Sequence, residues 1–261
     1  MDWGMQNRLS RIVQPESGRV VMFAVDHGYF LGPTSGLEDF KATVDPLLPY
    51  ADCLMLTRGM LRSCVSPAGA PPIMLRMSGG NSILGELSEE GLTCSVEDAV
   101  RLGVSGITLS IFVGAQGQRE TLLNLGRLID EGHRWGLPVM AVTAVGKEMV
   151  RDVRYLGLCC RIAAEIGCQM VKTYYCDEFE KLVRSTPVPV VIAGGKKVAE
   201  PDALKLAANA VRDGAAGVDM GRNIFQSENP VAMIKAVRAI VHENLDADKA
   251  LELYKDLAAS Q

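Results

Sequence analysis

Short apolar runs bounded by glycine, proline or charged residues recur along the chain, separated by longer stretches in which apolar residues return at helical spacing. Eight runs read as strands: Val20 to Asp26, Cys53 to Thr57, Ile73 to Met77, Gly106 to Phe112, Pro138 to Thr143, Met170 to Tyr175, Pro189 to Gly194 and Gly217 to Gly221. The helical pattern is clearest in Glu120 to Trp135, Val150 to Ile166, Pro201 to Arg212 and Pro230 to His242, and weak in the second and third units. Eight β/α units without a Gly/Ser-rich linker or a shift in composition predict an α/β chain folded as a (β/α)8 TIM barrel. The expected layout is a single domain over residues 1–261 with helical extensions at its N- and C-terminal ends. An open doubly wound sheet is the alternative that the same alternation allows.

Composition narrows the function classes. A chain of 261 residues with 48% hydrophobic content can bury a sizeable core. Its apolar runs fall short of the roughly 18 residues a membrane span needs. The start Met1-Asp2-Trp3-Gly4-Met5-Gln6-Asn7-Arg8 lacks the basic-then-apolar layout of a signal peptide, so a cytoplasmic location is expected. A net charge of −4, with both signs spread along the chain, offers no basic stripe for nucleic acid and no polybasic membrane anchor. The seven cysteines, Cys53, Cys64, Cys94, Cys159, Cys160, Cys168 and Cys176, include no Cys-x-x-Cys pair and no histidine at ligand spacing. They read as reduced core residues, and no metal site is expected.

The barrel expectation turns position into chemistry, because residues at the C-terminal ends of the strands converge on one mouth. The first run ends Asp26-His27-Gly28-Tyr29-Phe30, the second Thr57-Arg58-Gly59, and the third Arg76-Met77-Ser78-Gly79-Gly80-Asn81. The sixth holds Lys172 within Met170-Val171-Lys172-Thr173-Tyr174-Tyr175. A lysine in an apolar strand is partly buried, burial disfavours the ammonium, and a neutral amine attacks a carbonyl to form a Schiff base. The plainer alternative is an edge-strand lysine whose ammonium reaches water. Asp26 and His27 at the same mouth supply an acid and an imidazole for proton transfer, against the plainer readings of a turn-capping aspartate and a rim histidine. Tyr174 and Tyr175 face opposite ways on a strand, so one lines the mouth and the other packs against helices. His133 and His242 read as helix-surface residues without a role.

The loops after the seventh and eighth strands form the usual phosphate site of this fold. Here they read Ala193-Gly194-Gly195-Lys196-Lys197 and Met220-Gly221-Arg222-Asn223-Ile224-Phe225. Gly194, Gly195 and Gly221 allow backbone N–H groups to approach phosphate oxygens, and Arg222 adds a charge-assisted contact. Glycine also serves any tight strand-to-helix turn, and Lys196 and Lys197 read equally as phosphate contacts or as a solvated pair at a helix start.

Four segments carry a resemblance: Val25-Asp26-His27-Gly28-Tyr29-Phe30, Val171-Lys172-Thr173-Tyr174-Tyr175, Ile192-Ala193-Gly194-Gly195-Lys196-Lys197 and Gly217-Val218-Asp219-Met220-Gly221-Arg222-Asn223-Ile224-Phe225-Gln226. The chain resembles the archaeal-type class I aldolase family, which includes deoxyribose-phosphate and fructose-bisphosphate aldolase-like enzymes. Asp2-Trp3-Gly4-Met5-Gln6 and Asn229-Pro230-Val231-Ala232-Met233 point to a thiolase branch within it. The resemblance implies a Schiff-base lysine at Lys172 and an acid–histidine pair at Asp26 and His27. It also implies acetyl transfer from a phosphorylated dione of autoinducer-2 degradation to coenzyme A as co-substrate, with no permanently bound cofactor, and a homo-oligomer, a decamer of two stacked pentameric rings.

One departure bears on the reaction. Aldolases of the wider family carry a tyrosine for proton transfer in a Ser-Tyr-Pro-type run after strand five, whereas this chain has Val142-Thr143-Ala144-Val145-Gly146-Lys147. A methyl group cannot shuttle a proton, which favours the thiolase branch unless His27, Lys147 or a strand-six tyrosine substitutes. A Schiff-base aldolase acting on a ketose phosphate, or making an amino-heptulosonate, is the alternative. A non-catalytic sugar-phosphate sensor is a third reading, and it leaves a strand-six lysine facing an Asp-His pair without a purpose.

Overall fold

A computed structural model of the chain describes residues 1–144 and 150–260. Eight parallel strands close into a barrel, numbered here β1 (Val20–Ala24), β2 (Cys53–Thr57), β3 (Ile73–Arg76), β4 (Gly106–Ile111), β5 (Val139–Thr143), β6 (Met170–Thr173), β7 (Val190–Ala193) and β8 (Gly217–Met220). Strands adjacent in sequence are adjacent in the barrel, and β8 pairs back onto β1 with Val20 opposite Gly217 and Met22 opposite Asp219. The closed barrel sets aside the open-sheet alternative. Gly217 takes φ 130° at this closure, and a Cβ there would collide with Val20 backbone, so the seam requires glycine.

Period-two alternation sorts the strand residues into two apolar layers. Val20, Met22, Ala24, Cys53, Met55, Met74, Met140, Met170 and Val191 fill the lumen, and Ile12 joins them. Their neighbours Val21, Phe23, Leu54, Leu56, Leu75, Ile107, Val139, Val171, Ile192 and Val218 face the surrounding helices. Unbranched methionines suit an interior that narrows irregularly, and each fully buried one contributes roughly 1.5–3 kcal/mol. The helix Trp3–Ile12, capped by the Asp2 side chain accepting from Met5 N–H, places Ile12 in this lower lumen. That leaves the other end open, and the same parity continues upward through Asp26, Arg76, Ser110, Lys172 and Asp219.

The helices expected in the later units are present as Gln118–Trp135, Val153–Ile166, Glu200–Arg212 and Pro230–Glu243, followed by Ala247–Ala259. The second of these starts later than its periodicity predicts, because Asp152 caps it by accepting from Tyr155 N–H. The weak helical patterns of the early units correspond to short pieces. Phe40–Val44 gives way to a 3-10 stretch Asp45–Tyr50 containing Pro46 and Pro49, and Arg58–Cys64 and Val96–Arg101 span only two turns or so. A small antiparallel ribbon, Ser78–Gly79 with Gly91–Leu92, lies outside the eight runs and folds residues 80–90 back beside the mouth.

His242 is a correction to the sequence reading. It lies half-buried between the helix Pro230–Glu243 and the barrel floor, with Nε2 2.7 Å from Asp52 Oδ2 and Nδ1 2.8 Å from Ser17 Oγ. Asp52 also accepts from Val21 N–H and Arg238. Spacing on the helix alone could not show that the aspartate before β2 would reach it. Among the described residues, no helix is long and apolar enough to cross a membrane.

Candidate active site

A cavity of about 200 Å3 opens at the C-terminal ends of the strands, and Lys172, Asp26, His27, Gly194, Gly195, Gly221 and Arg222 all line it. Sequence reasoning selected these seven residues from different parts of the chain, and the barrel brings them to one space. Tyr174 joins them, with the Arg151 guanidinium 3.8 Å from its ring centroid. Tyr175 points outward, where its hydroxyl donates to Asp213. Lys197 pairs with Glu200 instead of facing the cavity, and Lys196 does not line it either.

Lys172 is 9% exposed and its Nζ lies 2.8 Å from Asp219 Oδ2. Asp26 follows the end of β1 and accepts from Arg76 Nε at 2.9 Å, with the two side chains 7% and 4% exposed. Burial alone would raise the Asp26 carboxyl, but the charges of Arg76, Lys172 and His27 outweigh it and hold it below the usual carboxylate value. Burial raises Asp219, and the nearby Lys172 only partly opposes this. Burial also pushes His27 down to about 4; Asp26 resists, while Lys172, Arg222 and Arg76 add to the fall. The imidazole is therefore neutral near pH 7, a weak base that the neighbouring Asp26 carboxylate strengthens. Burial likewise lowers Arg222.

Residues that sequence reasoning left without a role complete the wall near β3 and β4. Arg76 donates to Ser110 Oγ at 2.8 Å and stacks 5.0 Å from the Tyr29 ring centroid. The Tyr29 hydroxyl donates to Glu90 at 2.6 Å, and Glu90 also accepts from Ser78 and Asn81. Burial raises the Tyr29 phenol, and the Glu90 contact adds to the rise. Glu90 lies on the segment that the small ribbon returns to the mouth, a tertiary feature without a sequence signal. Asp219 had one: an acid inside the apolar run Gly217 to Gly221, at the parity that faces the lumen.

Five buried side-chain polar atoms among the described residues have no hydrogen-bond partner, and all belong to this cavity: His27 Nδ1, Asn81 Oδ1, both Asp219 oxygens and Arg222 Nε. Asp219 Oδ2 nevertheless has Lys172 Nζ 2.8 Å away as its ion-pair partner. Folded proteins rarely leave such atoms unpaired, so their concentration in one cavity marks a surface built for a polar ligand. Gly221 has a steric reason of its own, since a Cβ there would collide with Ala24 O and the His27 ring. Asn223 ties the two glycine loops together by donating to Gly194 O and accepting from Val198 N–H. Ala144 lines the cavity beside Lys172 where the resemblance would place a tyrosine, and Lys147 lies outside the described residues. No group of three or more His, Cys, Asp or Glu among the described residues could hold a metal ion.

Known proteins place this geometry in a family. The model of the DeoC/LacD family aldolases matches residues 20–227. The chain is 55% identical over 255 residues to the 3-hydroxy-5-phosphonooxypentane-2,4-dione thiolase of Photorhabdus laumondii, covering 97% of this chain and 88% of that protein. It is 54% identical to the thiolase of the same name from Escherichia coli K12, with the same coverage. Among solved structures, an archaeal fructose 1,6-bisphosphate aldolase superposes with a TM-score of 0.82 at 25% identity, covering 92% of this chain and 99% of the other. A Schiff-base-forming fructose-1,6-bisphosphate aldolase superposes at 0.81 with 27% identity, covering 91% and 99%. With a lysine-bearing barrel, a family model spanning most of its length and near-full-length relatives above half identity, the chain belongs to the DeoC/LacD family of aldolases.

Proposed function

We propose that the chain is a thiolase that moves the acetyl group of 3-hydroxy-5-phosphonooxypentane-2,4-dione to coenzyme A, releasing dihydroxyacetone phosphate and acetyl-CoA. The observation that carries this reading is the 55% identity, over 97% of the chain, to a relative with that thiolase name. Ala144 on the cavity wall supports it against the aldolase reading that the fold neighbours would favour.

In this reading the phosphate rests on the N–H groups of Gly194, Gly195 and Gly221 and on Arg222, which fixes the carbon chain across Lys172. The amine condenses with the carbonyl next to the phosphate-bearing carbon, expelling water and leaving an iminium. Neutral His27 takes the thiol proton of coenzyme A, and Asp26 stabilises the imidazolium that results. The thiolate adds to the acetyl carbonyl, and the bond from that carbon to the hydroxyl-bearing carbon breaks. Its electron pair moves into the iminium, giving an enamine and acetyl-CoA. Protonation at carbon and hydrolysis then release dihydroxyacetone phosphate and the free amine.

The test is incubation of the protein with the phosphorylated dione, with and without coenzyme A. Acetyl-CoA and dihydroxyacetone phosphate should form only with coenzyme A, and fructose 1,6-bisphosphate should be cleaved slowly or not at all. Brisk cleavage of the bisphosphate together with no acetyl-CoA from the dione would replace this reading by the aldolase one. The same reading places the protein in the cytoplasm, in the breakdown of autoinducer-2. The resemblance supports a homo-oligomer, a decamer of two stacked pentameric rings. A monomer by light scattering at micromolar concentration would defeat that part.

A further inference from the structure

Asp219 has no part in the reaction as set out so far, yet it is the group nearest the reacting nitrogen. Its side chain is fully buried in the lumen at β8, with Oδ2 2.8 Å from Lys172 Nζ and Oδ1 without a hydrogen-bond partner. The titratable and charged groups acting on it are Lys172 from β6, Asp26 after β1, Arg76 from β3 and Cys53 from β2. A carboxylate this deeply buried is poorly stabilised as an anion even with one amine beside it, and it readily accepts a proton. Asp26 stands in the opposite situation, paired to Arg76 and held ionised. Two carboxyls in one cavity are thus driven apart in acidity, the arrangement that separates a proton carrier from a fixed charge. Ala144, meanwhile, brings no proton-transfer group to the wall beside the lysine.

We propose that Asp219 is the proton carrier of Lys172, taking the ammonium proton so that the amine can attack the substrate carbonyl and returning it as water leaves. This rests on the imine step of the proposed function. The step begins from the ion pair and uses one nitrogen proton. Its transfer to Asp219 gives a neutral amine and a carboxylic acid with no proton lost to solvent. Nitrogen bonds to the carbonyl carbon, and one nitrogen proton passes to the carbonyl oxygen through the carboxyl group, giving a carbinolamine. Asp219 then protonates the carbinolamine hydroxyl, the C–O bond breaks, water departs, and the nitrogen lone pair forms the iminium. Three ammonium protons end as one on the iminium nitrogen and two in water, and the restored carboxylate is the iminium's counter-ion.

The experiment follows imine formation without coenzyme A. The protein is mixed with dihydroxyacetone phosphate, quenched with sodium borohydride at successive times, and the adduct on Lys172 is quantified by mass spectrometry. Asp219→Asn keeps the shape and cannot carry the proton. Adduct formation at pH 7 should slow by about 10²–10⁴-fold, the usual loss for a positioned acid–base group. The residual rate should climb with pH, because the ammonium must then lose its proton to water. Asp219→Ala should be slow as well and should recover on addition of formate, which a purely structural aspartate would not allow. A normal adduct rate in Asp219→Asn, or no formate response in Asp219→Ala, would overturn the role of Asp219 alone. Absence of any adduct in the unaltered protein, while it still makes acetyl-CoA, would overturn the imine reading itself and the role of Asp219 with it.

Discussion

Replacing Arg76 by methionine tests the claim that the cavity wall is held by a buried ion pair. The change keeps an unbranched stem and removes the guanidinium that lies 2.9 Å from Asp26, where both side chains are under a tenth exposed. Breaking such a pair by deleting one partner costs about 3–5 kcal/mol, since a charge is left buried and uncompensated. Asp26 has one escape, which is to take a proton. For a carboxyl of ordinary pKa, about 3.9, this costs about 4 kcal/mol at pH 7 and so limits the loss. The expected destabilisation is therefore about 3–4 kcal/mol, or about 6–16 °C in Tm for a chain of this size. The pH dependence has a definite sign. In the unaltered protein Asp26 sits below its unfolded value, so its contribution is fully present above about pH 4 and is lost only as pH falls through the lower folded value. Without Arg76, burial is opposed only by Lys172 and His27, so the folded variant binds the proton more readily than the folded unaltered protein. The deficit should then shrink as pH drops from 7 towards 5. Urea unfolding followed by circular dichroism at both pH values, at matched protein concentration, measures this. A loss below about 1 kcal/mol at pH 7, or a deficit that grows towards pH 5, would refute the reasoning.

Lys172→Met should abolish acetyl transfer while leaving the protein folded, because Asp219, already raised by burial, can take a proton once its partner is gone; retention of more than about a tenth of the activity would contradict it. Arg222→Ala should raise KM for the phosphorylated dione far more than it lowers kcat, since a phosphate anchor binds ground state and transition state alike, and an unchanged KM would remove Arg222 from the site. With His27 held at about 4, kcat/KM should show no loss of activity with a midpoint near pH 6.5, the ordinary histidine value. The same shift makes the unfolded chain bind more protons between about pH 6.5 and 4, so His27 should lower stability as pH falls through that range, and His27→Gln should flatten the slope in a pH series of urea titrations.

The sequence by itself determined eight β/α units around a parallel sheet, because apolar runs separated by helical periods have few other ways to bury both of its faces; closure into a barrel instead of an open sheet was decided by the tertiary structure. The sequence also placed Lys172, Asp26, His27 and the glycine loops at C-terminal strand ends, which converge in a closed barrel whatever fills the middle. The roles of the two buried aspartates were not legible. Asp26 and Asp219 are both acids near a strand end, and only the folded chain supplies Arg76 to one and an unsatisfied cavity position to the other. Glu90 and Tyr29 were invisible as a pair because a ribbon two residues wide brings the 80–90 segment back to the mouth, too short a pattern to carry a period. His242 shows the same limit: its contact with Asp52 spans most of the chain. Parity and periodicity fix which face a residue takes on its own element. Which charge meets it across the lumen depends on closure of the barrel, and burial at that meeting decides whether a carboxyl stays ionised or carries a proton.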